Sequence, residues 1–130
     1  MNGYGLDTSV VLRLLVGVPQ EQADRALDFI EGCYAHQIQV YVSDLVVLEA
    51  YHALRHHYQV PVQEASECLL DFLASEMITP TGFALAVLRE YRGLGPGLAD
   101  RFIRRDYLDH ASQVLTLDRK FSQLPEVKRL

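Results

Sequence analysis

Four carboxylates, Asp7, Glu49, Asp100 and Asp118, stand in apolar surroundings where acids are out of place. Asp7 closes the short apolar segment Gly3 to Leu6, and Asp118 closes Gln113 to Leu117. Glu49 interrupts a helical stretch that is apolar at Leu45, Val46, Leu48, Tyr51, Ala53 and Leu54, and Asp100 heads another helical run. Two ionised carboxylates about 5 Å apart repel by roughly 3 kcal/mol at an effective dielectric of 20, so four are tolerated together mainly around a cation. Hard oxygen donors of this kind select Mg²⁺ or Mn²⁺. Taken one at a time, each acid also has a plainer role: Asp7 and Asp100 as helix caps, Asp118 as a turn residue, Glu49 as the partner of a buried base.

The elements that would carry these acids follow from hydrophobic spacing. Gly3 to Leu6 reads as a strand, and Thr8 and Ser9 offer capping hydroxyls to a helix over Val10 to Val16. Pro19 opens a second helix with Ala23, Ala26, Leu27 and Ile30 on one face, ending between Gly32 and His36. Ile38 to Val42 is β-branched and aromatic, and Ser43 and Asp44 then cap a helix from Leu45 to about Tyr58. Pro61 opens a fourth helix through Leu73, Glu76 to Thr79 reads as a strand stopped by Pro80, and Phe83 to Tyr91 as a helix. The run Gly93 to Gly97 breaks the chain before a helix over Leu98 to Tyr107. Gln113 to Leu117 and the tail Val127 to Leu130 supply the last strands. Strands alternating with helices imply an α/β fold, a three-layer sandwich around a mostly parallel sheet of four or five short strands. Such sheets place their sites beyond the carboxyl ends of the strands, where Asp7 and Asp118 would sit side by side.

At 130 residues and 49% hydrophobic, the chain fits one domain, 1–130, with a real core. Its apolar runs fall short of the roughly 18 to 20 residues that span a bilayer, and nothing at the N-terminus resembles an export signal, so a cytoplasmic protein is expected. Cys33 and Cys68 lie among apolar helix residues and read as packed thiols. The net charge of -5 divides unevenly: residues 1–88 carry 3 basic and 11 acidic side chains, residues 89–130 carry 9 and 6. The basic final third could supply a local phosphate-binding surface on an acidic protein.

The segment Leu6-Asp7-Thr8-Ser9-Val10-Val11-Leu12 resembles the opening motif of PIN domains, and Ser43 to Tyr51, with Glu49 on its helix, resembles the second. Leu98-Ala99-Asp100 is similar to the third and Leu115 to Phe121 to the fourth, in the same order and over essentially the whole chain. The nearest resemblance is to the VapC-type toxins. It implies a Mg²⁺- or Mn²⁺-dependent endoribonuclease that leaves 5′-phosphate and 3′-hydroxyl ends, forms a homodimer and is inhibited by an antitoxin protein. Asp7, Glu49, Asp100 and Asp118 would then be both metal ligands and catalytic residues. Thr8 and Thr116 beside them, with Arg101, Arg104 and Arg105 on one face of the helix after Asp100, would meet the RNA. Position 97, where many members carry a further acid, is glycine here, and the helix after Asp100 is unusually rich in arginine.

Other chemistries find less support. Glu49-Ala-Tyr-His52 is an E-x-x-H, but a di-iron bundle needs a second one, and His52, His56 and His57 read as a polar helix face. Gly93 to Gly97 contains a proline and follows a helix rather than a strand, unlike a phosphate-binding loop. A receiver-type signalling domain would need an acidic pair that is missing. The remaining alternative is a PIN fold kept as a catalytically weak binding module, with Arg101 or Arg104 folded into the acidic pocket in place of metal.

Overall fold

The computed structural model describes residues 2–130. Its elements are β1 (Gly3–Gly5), α1 (Thr8–Val16), α2 (Gln20–Ala35), β2 (Gln39–Val42), α3 (Asp44–His56), α4 (Val62–Leu73), β3 (Thr79–Pro80), α5 (Ala84–Glu90), α6 (Leu98–Tyr107), β4 (Val114–Thr116), a short 3-10 turn at Phe121–Gln123, and β5 (Val127–Arg129). The fold is α/β and every strand pairing is parallel, with the five short strands in two sheets. β1 pairs with β2 and β2 with β3, while β4 pairs with β5.

The chain pattern explains these elements. Along β2, Val40 and Val42 are buried, while Gln39 and Tyr41 face outward, the alternation expected of a pleated strand with one covered face. Val47, Ala50, Tyr51 and Leu54 of α3 meet Ala65, Leu69 and Leu73 of α4, all of them buried, and Val11, Leu88 and Leu98 join the same cluster. Each fully buried leucine here contributes about 1.5 to 3 kcal/mol relative to an exposed one. Val114 and Phe121 are buried beside β4 but lie outside that cluster.

Two fastenings matter for the site. Ser43 caps α3 through the Val46 amide, as its place before the helix suggests, but Asp44 serves a different helix. Its two carboxylate oxygens accept the Phe83 and Ala84 amides, each at 3.0 Å, and so cap α5 across the fold. The second fastening is Arg104, whose Nε donates to the Pro125 carbonyl at 2.6 Å and whose Nη2 meets both oxygens of Glu126 at 3.1 Å. It ties α6 to the chain entering β5.

The third strand differs from the sequence expectation of Glu76 to Thr79. Residues 75–78 instead form a turn, with Ile78 N–H donating to the Ser75 carbonyl and Met77 N–H to the Ser75 hydroxyl, and pairing begins at Thr79 and includes Pro80. Proline lacks a donor but retains its carbonyl, and a strand at the rim of a sheet tolerates it.

Candidate metal and nucleic-acid site

Asp7 follows β1 and is the N-cap of α1. Its Oδ1 accepts the Ser9 hydroxyl at 2.6 Å, the Ser9 amide at 3.0 Å and the Val10 amide at 3.3 Å. The Ser9 hydroxyl and then the Val10 amide hold its carboxyl below the usual aspartate value. All three bonds fall on Oδ1, which leaves Oδ2 for another partner. The cap is thus the aspartate itself rather than the hydroxyls of Thr8 and Ser9. Thr8 is the half-buried first residue of the helix.

Asp118 is set by a similar local device. Its backbone N–H donates to Thr116 Oγ1 at 2.9 Å, and its own Oδ1 accepts the Lys120 amide at 2.9 Å. Thr116, expected to touch RNA, has a positioning role for the acid two residues on. Asp100 lies in the first turn of α6, half-buried, and its carboxyl is pushed above the ordinary value by burial and then by the charge of Asp118, with Lys120 pulling the other way. Asp100 therefore senses the charge of Asp118 across the α6–β4 junction.

Glu49 is exposed on α3, a helix that packs against α6. Asp7 and Asp118 do not end neighbouring strands: β1 belongs to the three-stranded sheet and β4 to the two-stranded one. Among the described residues, no three of Asp, Glu, His or Cys lie close enough to hold one ion. Asp100 lies near enough to Asp118 to sense its charge, and neither Asp7 nor Glu49 joins them in a group of three that could hold one ion. A divalent cation still suits the pair by donor chemistry, because Mg²⁺ is often held by one or two carboxylates while water and substrate phosphate complete its shell.

The three arginines do not form the common open face that their spacing suggested. Arg101 donates to the Pro96 carbonyl at 3.0 Å and the Leu94 carbonyl at 3.1 Å, and its guanidinium lies 5.2 Å from the Tyr91 ring centre. It holds the glycine-rich break in shape. Arg104 is occupied by Pro125 and Glu126 as described, and Arg105 covers the Phe83 ring at 4.2 Å and reaches Asp109 at 3.4 Å. Nor does any of them plug the acids. Among the described residues, no arginine or lysine forms an ion pair with Asp7, Glu49, Asp100 or Asp118.

Two contributors were not among the expected site residues. Ser9 gives Asp7 its shortest bond, and Lys120 is the cation nearest in effect to Asp100. The D-x-S and T-x-D spacings of Asp7-Thr8-Ser9 and Thr116-Leu117-Asp118 were visible signals for such local turns. With this fold and these acids in place, the comparison with known families is decisive for the class: the PIN domain family matches residues 4–127, and the chain belongs to it. PIN domains are a nuclease superfamily. No curated protein matches the chain.

Proposed function

We propose that this PIN domain is a Mg²⁺- or Mn²⁺-dependent endoribonuclease and the toxin of a toxin–antitoxin pair of the VapC type. The observation that carries this reading is the PIN-family match, supported by the charge of Asp118 felt at half-buried Asp100, a repulsion that a divalent cation would relieve. Asp7 and Glu49 stand at the other two acidic motif positions and would complete the ligand set through water or by approach of β4 toward β1. When bound, the cation would supply charge neutralisation at the scissile phosphate and a more acidic water. The residues present do the rest: Ser9 and Thr116 aim Asp7 and Asp118, and Lys120 offers a positive charge that Asp100 senses. Thr8, next to Asp7, would meet the substrate. Arg105, more exposed than Arg104, can reach a phosphate by releasing its long pairing to Asp109.

A cytoplasmic homodimer held inactive by an antitoxin protein is the physiological form that this reading entails. No helix of the described chain is long and apolar enough to cross a membrane. A second reading, a PIN fold that binds nucleic acid or protein with weak catalysis, draws on the absence of a three-acid cluster among the described residues. A thermal melt separates the two. A cation that binds only the native state stabilises it by about 2.7 kcal/mol at 100 times its dissociation constant. Mn²⁺ should raise the melting temperature of the wild type and not of Asp100→Asn. Indifference of the wild type to Mn²⁺ would favour the binding module.

A further inference from the structure

Beside Asp100 a cleft of about 350 Å³ opens between α3 and the first turn of α6, bordered by His52, Arg55, His56, Tyr91 and Asp100. Its size sits at the lower end of the range for small-ligand sites, about 300 to 1,000 Å³, suitable for one nucleotide unit rather than a folded partner. Glu49, His52 and His56 succeed one another at helical spacing along α3, so one face of that helix runs from an acid of the proposed site into the cleft. His52 and His56 are exposed, and their rings lie nearly parallel, 16° apart with centroids separated by 5.9 Å. Arg55 stands beside them, with Nη1 donating to the Val60 carbonyl at 2.9 Å and its guanidinium charge also felt at the Tyr51 hydroxyl. Buried Tyr51 and Tyr91, their hydroxyls 3.4 Å apart, pack together on the same side.

We propose that this cleft is a nucleotide subsite for single-stranded RNA, in which a base stacks on the imidazoles of His52 and His56 and its phosphate meets Arg55. The proposal rests on the ribonuclease reading for its choice of ligand and adds the residues that hold a nucleotide next to the reacting phosphate. Unstacked bases are taken up by flat side chains and guanidinium groups, and the cleft presents both within reach of Asp100. Arg101 and Arg104 of α6 leave this role open, since they are occupied with backbone carbonyls and Glu126.

The test is fluorescence anisotropy with a short labelled single-stranded ribo-oligonucleotide in EDTA, where binding is read without cleavage. His52→Ala/His56→Ala should weaken binding by about tenfold, the loss expected for one stacked base. His52→Phe/His56→Phe should restore it, because a flat ring is retained. Both variants alter exposed side chains and should melt like the wild type. Unchanged binding in the alanine pair, a loss that the phenylalanine pair fails to restore, or no binding by the wild type would each overturn the subsite. Cleavage is scored separately with Mn²⁺. Histidine-dependent binding by a protein that never cleaves would remove the nuclease reading and keep the subsite, whereas cleavage with histidine-independent binding would do the reverse.

Discussion

Arg104→Ala should cost far more than an ordinary surface arginine, and the structure says why. The Arg104 side chain is only 18% exposed, it donates to the Pro125 carbonyl at 2.6 Å, and it meets both carboxylate oxygens of Glu126 at 3.1 Å. Hydrogen bonds to charged groups contribute about 1.5 to 3 kcal/mol each when well made, and solvent at the 44%-exposed Glu126 reduces its share. A total loss of about 2 kcal/mol is expected, which for a chain of this length lowers the melting temperature by roughly 8 °C. Arg25 serves as the internal control: its pairing to Glu21 is 72% and 89% exposed, and Arg25→Ala should change stability by less than about 0.5 kcal/mol. Because Arg104 joins α6 to the β4–β5 unit, its removal should also loosen Asp118 relative to Asp100 and shrink the stabilisation conferred by Mn²⁺. Thermal melts of the two variants with and without Mn²⁺ measure all of this. Equal melting of Arg104→Ala and Arg25→Ala would refute the fastening. A full Mn²⁺ response in Arg104→Ala would refute its link to the acids.

Leu69 is fully buried at the meeting of α3 and α4, and Leu69→Ala should cost about 2 to 5 kcal/mol in a urea melt. The raised carboxyl of Asp100 sets a pH signature for the metal-free protein: the folded state holds this proton more tightly than the unfolded one, so stability falls as pH rises from the ordinary value of 3.8 through the folded value. Asp100→Asn should abolish that fall and leave the metal-free protein more stable at neutral pH, as urea melts across the acid range would show. Asp7 works in the opposite sense, adding stability above 3.8 that is lost as pH falls through its lowered value; Asp7→Asn, which keeps an N-cap acceptor, should preserve the helix while removing the charge, read by circular dichroism.

The helices were legible because their signals are local. Gly93 to Gly97 followed by an amphipathic run defines α6, and the structure places it over Leu98–Tyr107 as the spacing predicts. Proline and an i, i+3, i+4 stripe likewise announce α2 and α4. What stayed hidden depends on partners far away in the chain. Asp44 looks like half of a cap for its own helix, and only the fold shows it capping α5 some 40 residues on. Arg104 sits on a helical face with Arg101 and Arg105, yet its partners are 21 and 22 residues away. Strand pairing is equally non-local. Two strands that each end in an aspartate suggest neighbours, but the hydrogen bonds join β1 to β2 and β4 to β5, which is why four acids legible one by one do not meet as a single cluster.

If the acids Asp7, Glu49, Asp100 and Asp118 hold a divalent cation for RNA hydrolysis, cleavage of a single-stranded RNA by purified protein with Mn²⁺ and with EDTA, the ends mapped by sequencing, reads it directly. The wild type should cut only with Mn²⁺, leaving 5′-phosphate and 3′-hydroxyl ends, and Asp100→Asn and Asp118→Asn should each lose activity by orders of magnitude while remaining folded. Cleavage that persists in EDTA, or that survives in both variants, would contradict it.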